Sequence, residues 1–307
     1  MATDLIHGWV HTANKRGTGE IIVPCLTTIL ICTYVSLHLN VPSPREKYWQ
    51  QCARKFRWML YAIMGPEFVV AFATGQKAEA RRSREQWRDA GYTDWTIRHG
   101  FYANMGGFIL KPRASTQFPI NSKQLFYLVD KGYIPYPAIT EKELWDKSKQ
   151  DGFQKLFTLF QTGWFVVQCL GRAVQHLPVT TLELTTFSFV FCTFASYYQW
   201  SNKPLDVESA TILECEASTE RILIEAGNLP DAWRPYRQTP LDFIDNHSPS
   251  WLTELQPRFE FRGHFRGGPS RRPLERLTND RFPVGLIVAL TILALADLGT
   301  GDRNKSR

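Results

Sequence analysis

The feature that most constrains this chain is a long apolar run at residues 21–41, IIVPCLTTILICTYVSLHLNV, which contains no formally charged side chain. About 20 consecutive apolar residues allow an α-helix to cross the hydrocarbon core of a bilayer. The run is longer than the apolar core of a typical signal peptide, lacks a small-residue cleavage site and follows a polar stretch. We therefore expect a membrane-spanning helix that stays in the mature protein.

Further apolar segments have roughly the length of a membrane span. They lie at residues 58–75, 157–174, 180–200 and 282–299. The segment at 58–75 departs most from a simple span, because it carries Pro66 and Glu67 at its centre. The sequence therefore predicts an all-α membrane protein with four to five transmembrane helices and two long basic extramembrane regions.

These segments also predict the organisation of the chain. In order, we expect an N-terminal membrane region at 1–75 with spans at about 21–41 and 58–75, a basic polar region at 76–152, a transmembrane helical hairpin at 153–200, a polar Pro/Arg-rich region at 201–281, and a last transmembrane segment with a short tail at 282–307. The Gly106–Gly107 pair lacks the pattern of a phosphate loop and predicts a packed turn instead.

Basic residues beside the apolar segments predict the orientation. The loop between the first two segments, PSPREKYWQQCARKFR, holds five basic residues and one acidic residue, and short basic loops face the cytoplasm. The N-terminus is then outside or lumenal. The stretch after the second segment, QKAEARRSREQWR, is also basic, which conflicts with a complete crossing. Either the second segment spans despite the charge, or it forms a re-entrant or interfacial hairpin bent at Gly65–Pro66.

Two sequons, at Asn246 and Asn304, are candidate glycosylation sites. In the hairpin arrangement, which we favour, the regions 76–152 and 201–281 are both cytoplasmic. Only a lumenal acceptor can be glycosylated, so a glycan on Asn246 would contradict that arrangement.

Charge and cysteine content exclude some classes of site. The formal net charge of +7 is explained by basic residues that flank apolar segments, so it does not predict binding to nucleic acid. The six cysteines show no CxxC pair and no finger-like spacing with histidine, and we expect buried thiols. His7 and His11 have no third ligand at a recognisable spacing. The sequence therefore predicts no metal and no cofactor.

Two capping boxes mark helix starts. Thr140 and Glu143 predict a helix from about residue 141 that continues into the third apolar segment. Thr180 and Glu183 begin the fourth segment after a short connection. The third and fourth segments should therefore form a tight helical hairpin.

Glutamines recur every seven residues in this hairpin, at Gln154, Gln161, Gln168 and Gln175. This spacing keeps them near one face of a helix. Amides in hydrocarbon need partners, and a hydrogen bond between membrane helices contributes about 0.6 kcal/mol. We therefore expect the stripe to face other helices, either as packing contacts or along a polar substrate path.

Three of the ionisable residues within the apolar segments are candidates for a site or an ion pair. The hairpin places Arg172 and Glu183 to form an ion pair close to the membrane interface. Glu67 is the candidate catalytic residue, because an ionisable group deep in a membrane is costly and marks a site by default. It would carry a proton or contact a ligand. The alternative is a structural carboxylate paired with Arg172 or with an interfacial lysine.

Several strings occur together in order: HGWV, RGTGEIIVPCLTTILICTYVSLHLNVP, PEFVVAFATGQ, GFYANMGGFIL, DKSKQDGF, WFVVQCLGR, LPVTTLEL, SNKPLDV and NDRFP. Together they resemble a large family of fungal polytopic integral membrane proteins, mostly uncharacterised. The resemblance reaches to about residue 284 and implies a multi-pass membrane protein. It implies no catalytic residues, because the activity of that family is generally unassigned.

We expect a non-enzymatic membrane protein with a transport-like, sensor or scaffold role, in the endoplasmic reticulum or plasma membrane. Its partners would be the lipid bilayer, with anionic lipids or other membrane proteins bound by the basic regions. The alternative is a membrane-embedded enzyme or accessory of fungal secondary metabolite biosynthesis. That protein would act on a lipophilic substrate, with Glu67 supplying or removing a proton.

Overall fold

A computed structural model of the chain describes residues 17–43, 46–113, 115–146, 152–175, 179–205, 207, 209–227 and 239–245, with the backbone alone for 152–157. The chain divides into two compact units. The first, which we call the helical unit, comprises Met1–His38, Cys52–Thr74 and Lys149–Ser201. The second, which we call the mixed unit, comprises Leu39–Gln51, Gly75–Ser148 and Asn202–Arg307.

Helices dominate the described residues, with a small sheet. The helices are α1 (Thr18–Val35), α2 (Tyr48–Met64), α3 (Pro66–Asp89), α4 (Ile97–Asn104), α5 (Ser122–Asp130), α6 (Glu141–Asp146), α7 (Gly152–Val174), α8 (Thr181–Gln199) and α9 (Thr219–Glu225), with a short 3-10 helix at Asp242–Asp245. The strands are β1 (Phe108–Pro112), β2 (Phe118–Ile120) and β3 (Thr211–Cys215).

The helical unit is organised around α1, which packs against both α7 and α8. Its apolar cluster contains the buried residues Cys25 and Cys32 of α1, Phe165 of α7 and Val190 of α8. Pro24 lies inside α1 and removes one backbone donor, an interruption that membrane helices tolerate. The third and fourth apolar segments are therefore helices that share one core with the first.

The apolar run at residues 21–41 is only partly helical. Helix α1 ends at Val35, and residues 37–41 belong to no helix or strand. The Val41 backbone N–H donates to the Met105 carbonyl at 3.0 Å, and Val41 is buried in the core of the mixed unit. The run exceeds α1 because its last residues enter a protein core, which apolar composition alone does not distinguish from lipid.

The second apolar segment is broken where the sequence predicts a bend. Helix α2 ends at Met64 and α3 begins at Pro66, and the two axes differ by 113°. Proline is favoured at the first position of a helix, where its missing N–H has no intrahelical acceptor. A side chain at the buried Gly65 would collide with the Phe68 ring. Both residues thus specify the break.

The number of spans is lower than the sequence predicts. By length and mean hydropathy, α1 is the one single helix among the described residues that could cross a membrane, and the bent pair α2–α3 raises the number to two if it counts as one span. The prediction of four to five spans is not supported. Threonine, glutamine, serine and charged residues lower the mean hydropathy of α7 and α8, and the segment at 282–299 lies outside the described residues.

The mixed unit contains a three-stranded sheet, so the all-α prediction is wrong. The strand order is β2-β1-β3, with β1 antiparallel to β2 and parallel to β3. Phe108 lies opposite both Ile120 and Thr211. These strands are three to five residues long, too short for an alternating pattern, and β3 follows β1 by about a hundred residues of chain. Non-local pairing of this kind leaves little local signal.

Aromatic residues fill the core of the mixed unit. Trp87 and Trp95 are fully buried and stack with ring centroids 4.5 Å apart. Tyr92 and Tyr136 stack beside them at 4.7 Å. These stacked rings therefore join the end of α3 to the chain segments that follow it within one core.

The packed turn predicted at Gly106–Gly107 is present between α4 and β1. Gly106 has φ +86°, a conformation that glycine adopts without steric cost. The Gly107 N–H donates to the Tyr102 carbonyl at 2.8 Å, and a side chain at Gly107 would collide with the Tyr102 ring. The predicted helix from residue 141 is α6, which ends at Asp146, and residues 147–151 lie outside the described part of the chain.

Candidate functional site

In the helical unit, many large apolar side chains are exposed and many buried side chains are polar. We call this arrangement inverted polarity, and it makes the interior of the unit the candidate functional site. Large apolar side chains of its three long helices are exposed. They include Val23, Leu26 and Leu30 of α1, Phe160, Trp164 and Val167 of α7, and Leu184, Phe191 and Tyr198 of α8. Many of its buried residues are small and polar. These include Thr28, Thr33 and Ser36 of α1, Thr158 and Thr162 of α7, and Thr186, Thr193 and Ser196 of α8.

Hydrogen bonds within each helix satisfy several of these buried hydroxyls. Thr162 donates to the Thr158 carbonyl at 2.6 Å, and Thr193 donates to the Phe189 carbonyl at 2.8 Å. Such back-bonding makes threonine compatible with a helix interface. Small and hydroxyl-bearing residues at interfaces are typical of membrane helices, because they allow close approach of the backbones.

An ion pair predicted from the sequence closes one end of this bundle. Arg172 Nε lies 3.8 Å from Glu183 Oε1, and the Glu183 side chain is 2% exposed. The other carboxylate oxygen accepts hydrogen bonds from the Thr180 backbone N–H and hydroxyl, both at 2.9 Å. Glu183 therefore caps α8 and neutralises Arg172 with separate oxygens. The capping boxes at Thr180 and Thr140 are both confirmed.

The glutamine stripe does not lie at the centre of the helix interface. Gln168 and Gln175 are exposed and Gln161 is half-buried, whereas the side chain of Gln154 lies outside the described part of the structure. The buried face of α7 instead follows Thr158, Thr162 and Phe165. At about 100° per residue the glutamines fall on the flank of that face. Gln168 and Gln175 therefore lie outside the buried interface of this bundle, and their contact with other helices stays a prediction.

A small cavity with a mixed lining lies inside the helical unit, with Ala62, Pro66, Val69 and Phe189 forming its apolar part. Hydroxyls and a thiol line it, from Thr33, Ser36, Cys192, Thr193 and Ser196. It has room for about one water molecule. The Ser196 hydroxyl is buried and has no hydrogen-bond partner among the described residues, so a water here would satisfy it. The cavity suits a bound water better than an organic substrate.

Glu67, the candidate catalytic residue, lies in the first turn of α3 directly after Pro66. It is exposed, and the preceding Pro66 lines the cavity. A carboxylate in the first turn also stabilises a helix through the helix dipole. Its position is therefore explained by helix initiation, and its catalytic role stays a prediction.

The mixed unit contains a buried histidine that sequence reasoning missed. Thr96 donates its backbone N–H to His99 Nδ1 at 3.2 Å, and His99 Nε2 lies 2.9 Å from the Ile139 carbonyl oxygen. Because a carbonyl only accepts, the proton resides on Nε2 and the ring is neutral. Burial lowers the pKa of His99, while the Ile139 carbonyl and Glu141 oppose that shift. Thr96 three residues before His99 was a visible helix-start signal.

This histidine predicts a pH dependence of stability. The neutral ring is favoured in the folded state, whereas the unfolded chain takes up a proton near the ordinary pKa of about 6.5. Stability should therefore be complete above about pH 6.5 and fall below it. Thermal unfolding of the full chain in detergent at pH 7.5 and 5.5 measures the effect, and His99→Gln should reduce the difference. An equal difference in both proteins would refute this role.

Other predicted site residues lie outside the described residues or do not converge. His7, His11, Asn246 and Asn304 are outside them. All six cysteines are free, with Cys25, Cys32 and Cys215 buried and the others half-buried. Within the described ranges, no group of three His, Cys, Asp or Glu residues could hold a metal ion.

Fold and site together define a mainly helical protein with a helical unit of inverted polarity and a separate mixed unit. The chain belongs to a family described as a family of unknown function (DUF8562), whose model matches residues 2–226. No curated protein and no solved structure matches the chain. The matched residues include α1 to α8 and the sheet, so the family is defined by both units.

Proposed function

We propose that this protein is a non-enzymatic, multi-pass integral membrane protein in which α1 crosses the bilayer, α7 and α8 cross beside it despite their lower mean hydropathy, and the mixed unit acts as a scaffold. The observation that carries the proposal is the inverted polarity of the helical unit. Exposed apolar surface in water costs about 25 cal/mol per Å², and lipid removes that cost. The resemblance of the sequence to fungal polytopic membrane proteins supports the same reading.

The contacts within the helical unit support a consistent topology. Thr33 and Ser36 near the end of α1 share a cavity with Thr193 and Ser196 near the end of α8, so these two helices run parallel. The Arg172–Glu183 pair joins the end of α7 to the start of α8, so α7 is antiparallel to both. The ends of α1 and α8 and the start of α7 then lie at one end of the helical unit, which the basic loop after α1 predicts to face the cytoplasm.

Alkaline carbonate extraction of membranes from cells that express the full chain tests this proposal. We expect the protein to stay in the membrane pellet. Phe191→Lys, at an exposed position near the middle of α8, should reduce the inserted fraction several-fold, because a lysine at the centre of a membrane helix costs about 2.5–3.5 kcal/mol.

The matched control is Ile212→Lys, at an exposed position of strand β3 in the mixed unit. It should leave the inserted fraction unchanged. Extraction of the native chain into the carbonate supernatant would overturn the proposal. An equal loss of insertion in both variants would show that the effect of Phe191→Lys does not report on lipid contact.

The membrane-embedded enzyme is the second candidate function, supported by the position of Glu67 directly after Pro66, which lines the cavity. In that case Glu67→Gln should abolish formation of a lipophilic product while the protein stays folded and inserted. Metabolite profiles of a deletion strain complemented with each gene measure this. Full product from the Glu67→Gln strain would reject the catalytic role, and an unchanged profile on deletion would favour the scaffold.

A further inference from the structure

Helix α2 has two faces with different surroundings. One face is packed inside the helical unit, where Trp58 stacks on Phe72 with ring centroids 5.5 Å apart. Arg54 and Ala62, one turn to either side of Trp58, are also buried. This face therefore packs α2 against its neighbours in the helical unit.

The opposite face is apolar and exposed. We call it the outward stripe and define it as Trp49, Phe56, Leu60 and Met64, whose exposed fractions are 80%, 56%, 43% and 55%. At about 100° per residue these four side chains lie on the side of α2 away from Trp58. A helix with one packed face and a second apolar face in water would expose a continuous hydrophobic strip, which soluble proteins avoid.

Basic residues accompany the outward stripe. Lys55 and Arg57 lie within α2 outside its packed face, Lys47 directly precedes the helix, and the sequence of α2 contains no Asp or Glu. Lys47 and Arg57 are exposed. An apolar stripe with flanking basic residues is the pattern of a helix that lies in a membrane surface rich in anionic lipid.

Contacts place α2 at the end of a membrane helix. Lys55 Nζ lies 4.2 Å from the centre of the Tyr34 ring, and Tyr34 is in the last turn of α1. Tyrosine is enriched where helices leave the hydrocarbon and enter the headgroup layer. The neighbouring Ala62 lines the same cavity as Ser36, which follows α1. Two independent contacts therefore locate α2 at the level of the interface.

We propose that α2 lies in the plane of the cytoplasmic membrane interface, with the outward stripe in the acyl–headgroup boundary and its basic residues on anionic lipid headgroups. This inference rests on the proposed function. It also explains the 113° bend, because a helix in the membrane plane must turn before the chain continues as α3. The second apolar segment is then interfacial and does not cross the bilayer.

Hydrogen–deuterium exchange of residues 48–64 tests this inference in the full chain, reconstituted into nanodiscs of phosphatidylcholine alone or with 30% phosphatidylserine. Each basic residue near an anionic surface contributes a factor of about five in affinity. Exchange in α2 should therefore be at least about 25 times slower with phosphatidylserine, since at least two basic residues face the lipid. Lys47→Gln with Arg57→Gln should remove about 25-fold of that protection, the product of two such factors.

Two further variants separate lipid docking from other causes. Phe56→Gln with Leu60→Gln should speed exchange in both lipid compositions, whereas Ile212→Gln, at an exposed apolar position of strand β3, should leave exchange in residues 48–64 unchanged. Exchange that is independent of phosphatidylserine, or that depends on the protein-to-lipid ratio, would overturn the inference. Carbonate extraction of the same native protein shows separately whether the proposed membrane insertion holds.

Discussion

Replacing Trp87 with alanine should lower the free energy of unfolding by about 3–5 kcal/mol, the usual cost of removing a large buried aromatic side chain. Trp87 is fully buried and its ring contacts Trp95, Tyr92, Phe126 and Tyr136. Its loss would leave a cavity at the centre of the mixed unit. For a folded region of this size the midpoint of thermal unfolding should fall by about 10 °C.

Fluorescence-detected thermal unfolding of the full chain in detergent measures this change, with two controls. Trp87→Phe keeps an aromatic ring and removes an indole N–H that is buried without a hydrogen-bond partner in the described residues, so it should cost less than about 1.5 kcal/mol. Trp145→Ala, at an exposed tryptophan of the same unit, should cost at most about 1 kcal/mol. Equal midpoints for Trp87→Ala and Trp145→Ala would show that Trp87 does not organise this core.

Local signals predicted the elements of the helical unit well. Capping residues at Thr180 and Glu183 fixed the start of α8, and Gly65–Pro66 fixed the break between α2 and α3. Each of these signals acts within one or two turns of chain, where steric and hydrogen-bonding rules are strong. The Arg172–Glu183 pair followed from the same logic, because a short connection between antiparallel helices brings their ends together.

The mixed unit was missed because its structure depends on distant residues. Strand β1 pairs in parallel with β3, which begins at Thr211, and Leu37–Val41 looks like the end of a membrane span until the core around Met105 is known. His99 bonds to Ile139 across 40 residues of chain. Such contacts have no sequence period, so propensity and patterning carry little information about them.

The sequence also could not predict which face of α7 is buried in the candidate site. A seven-residue spacing correctly groups Gln161 and Gln168 on one side of α7, but it does not say which side the neighbouring helices cover. Threonine and serine have low helix propensity, yet they form much of the buried face of the helices in this unit. In a membrane interior the residues that pack are often small and weakly polar, so ranking candidates by polarity alone selects the wrong face.

Replacing Glu183 with glutamine should destabilise the helical unit by about 3 kcal/mol or more, because it leaves Arg172 opposite a neutral group in a largely buried site. Glutamine keeps the length of the side chain and an oxygen that can accept from Thr180, so the loss reports mainly on the charge. The measurement is the fraction of full-length protein that remains monodisperse in detergent after heating.

The double variant Arg172→Leu with Glu183→Leu tests whether the ion pair stabilises the bundle overall. The alternative is that each residue only compensates for the cost of burying the charge of the other. Burying two charges costs free energy that their attraction repays incompletely, so replacement of a buried pair by apolar residues is often neutral or stabilising. We expect the double variant to be more heat-stable than Glu183→Gln and Arg172→Leu alone, despite losing the helix cap at Thr180. If the loss of heat stability in the double variant equals the sum of the losses in the two single variants, Arg172 and Glu183 act independently. The two side chains, 3.8 Å apart, would then have no interaction free energy.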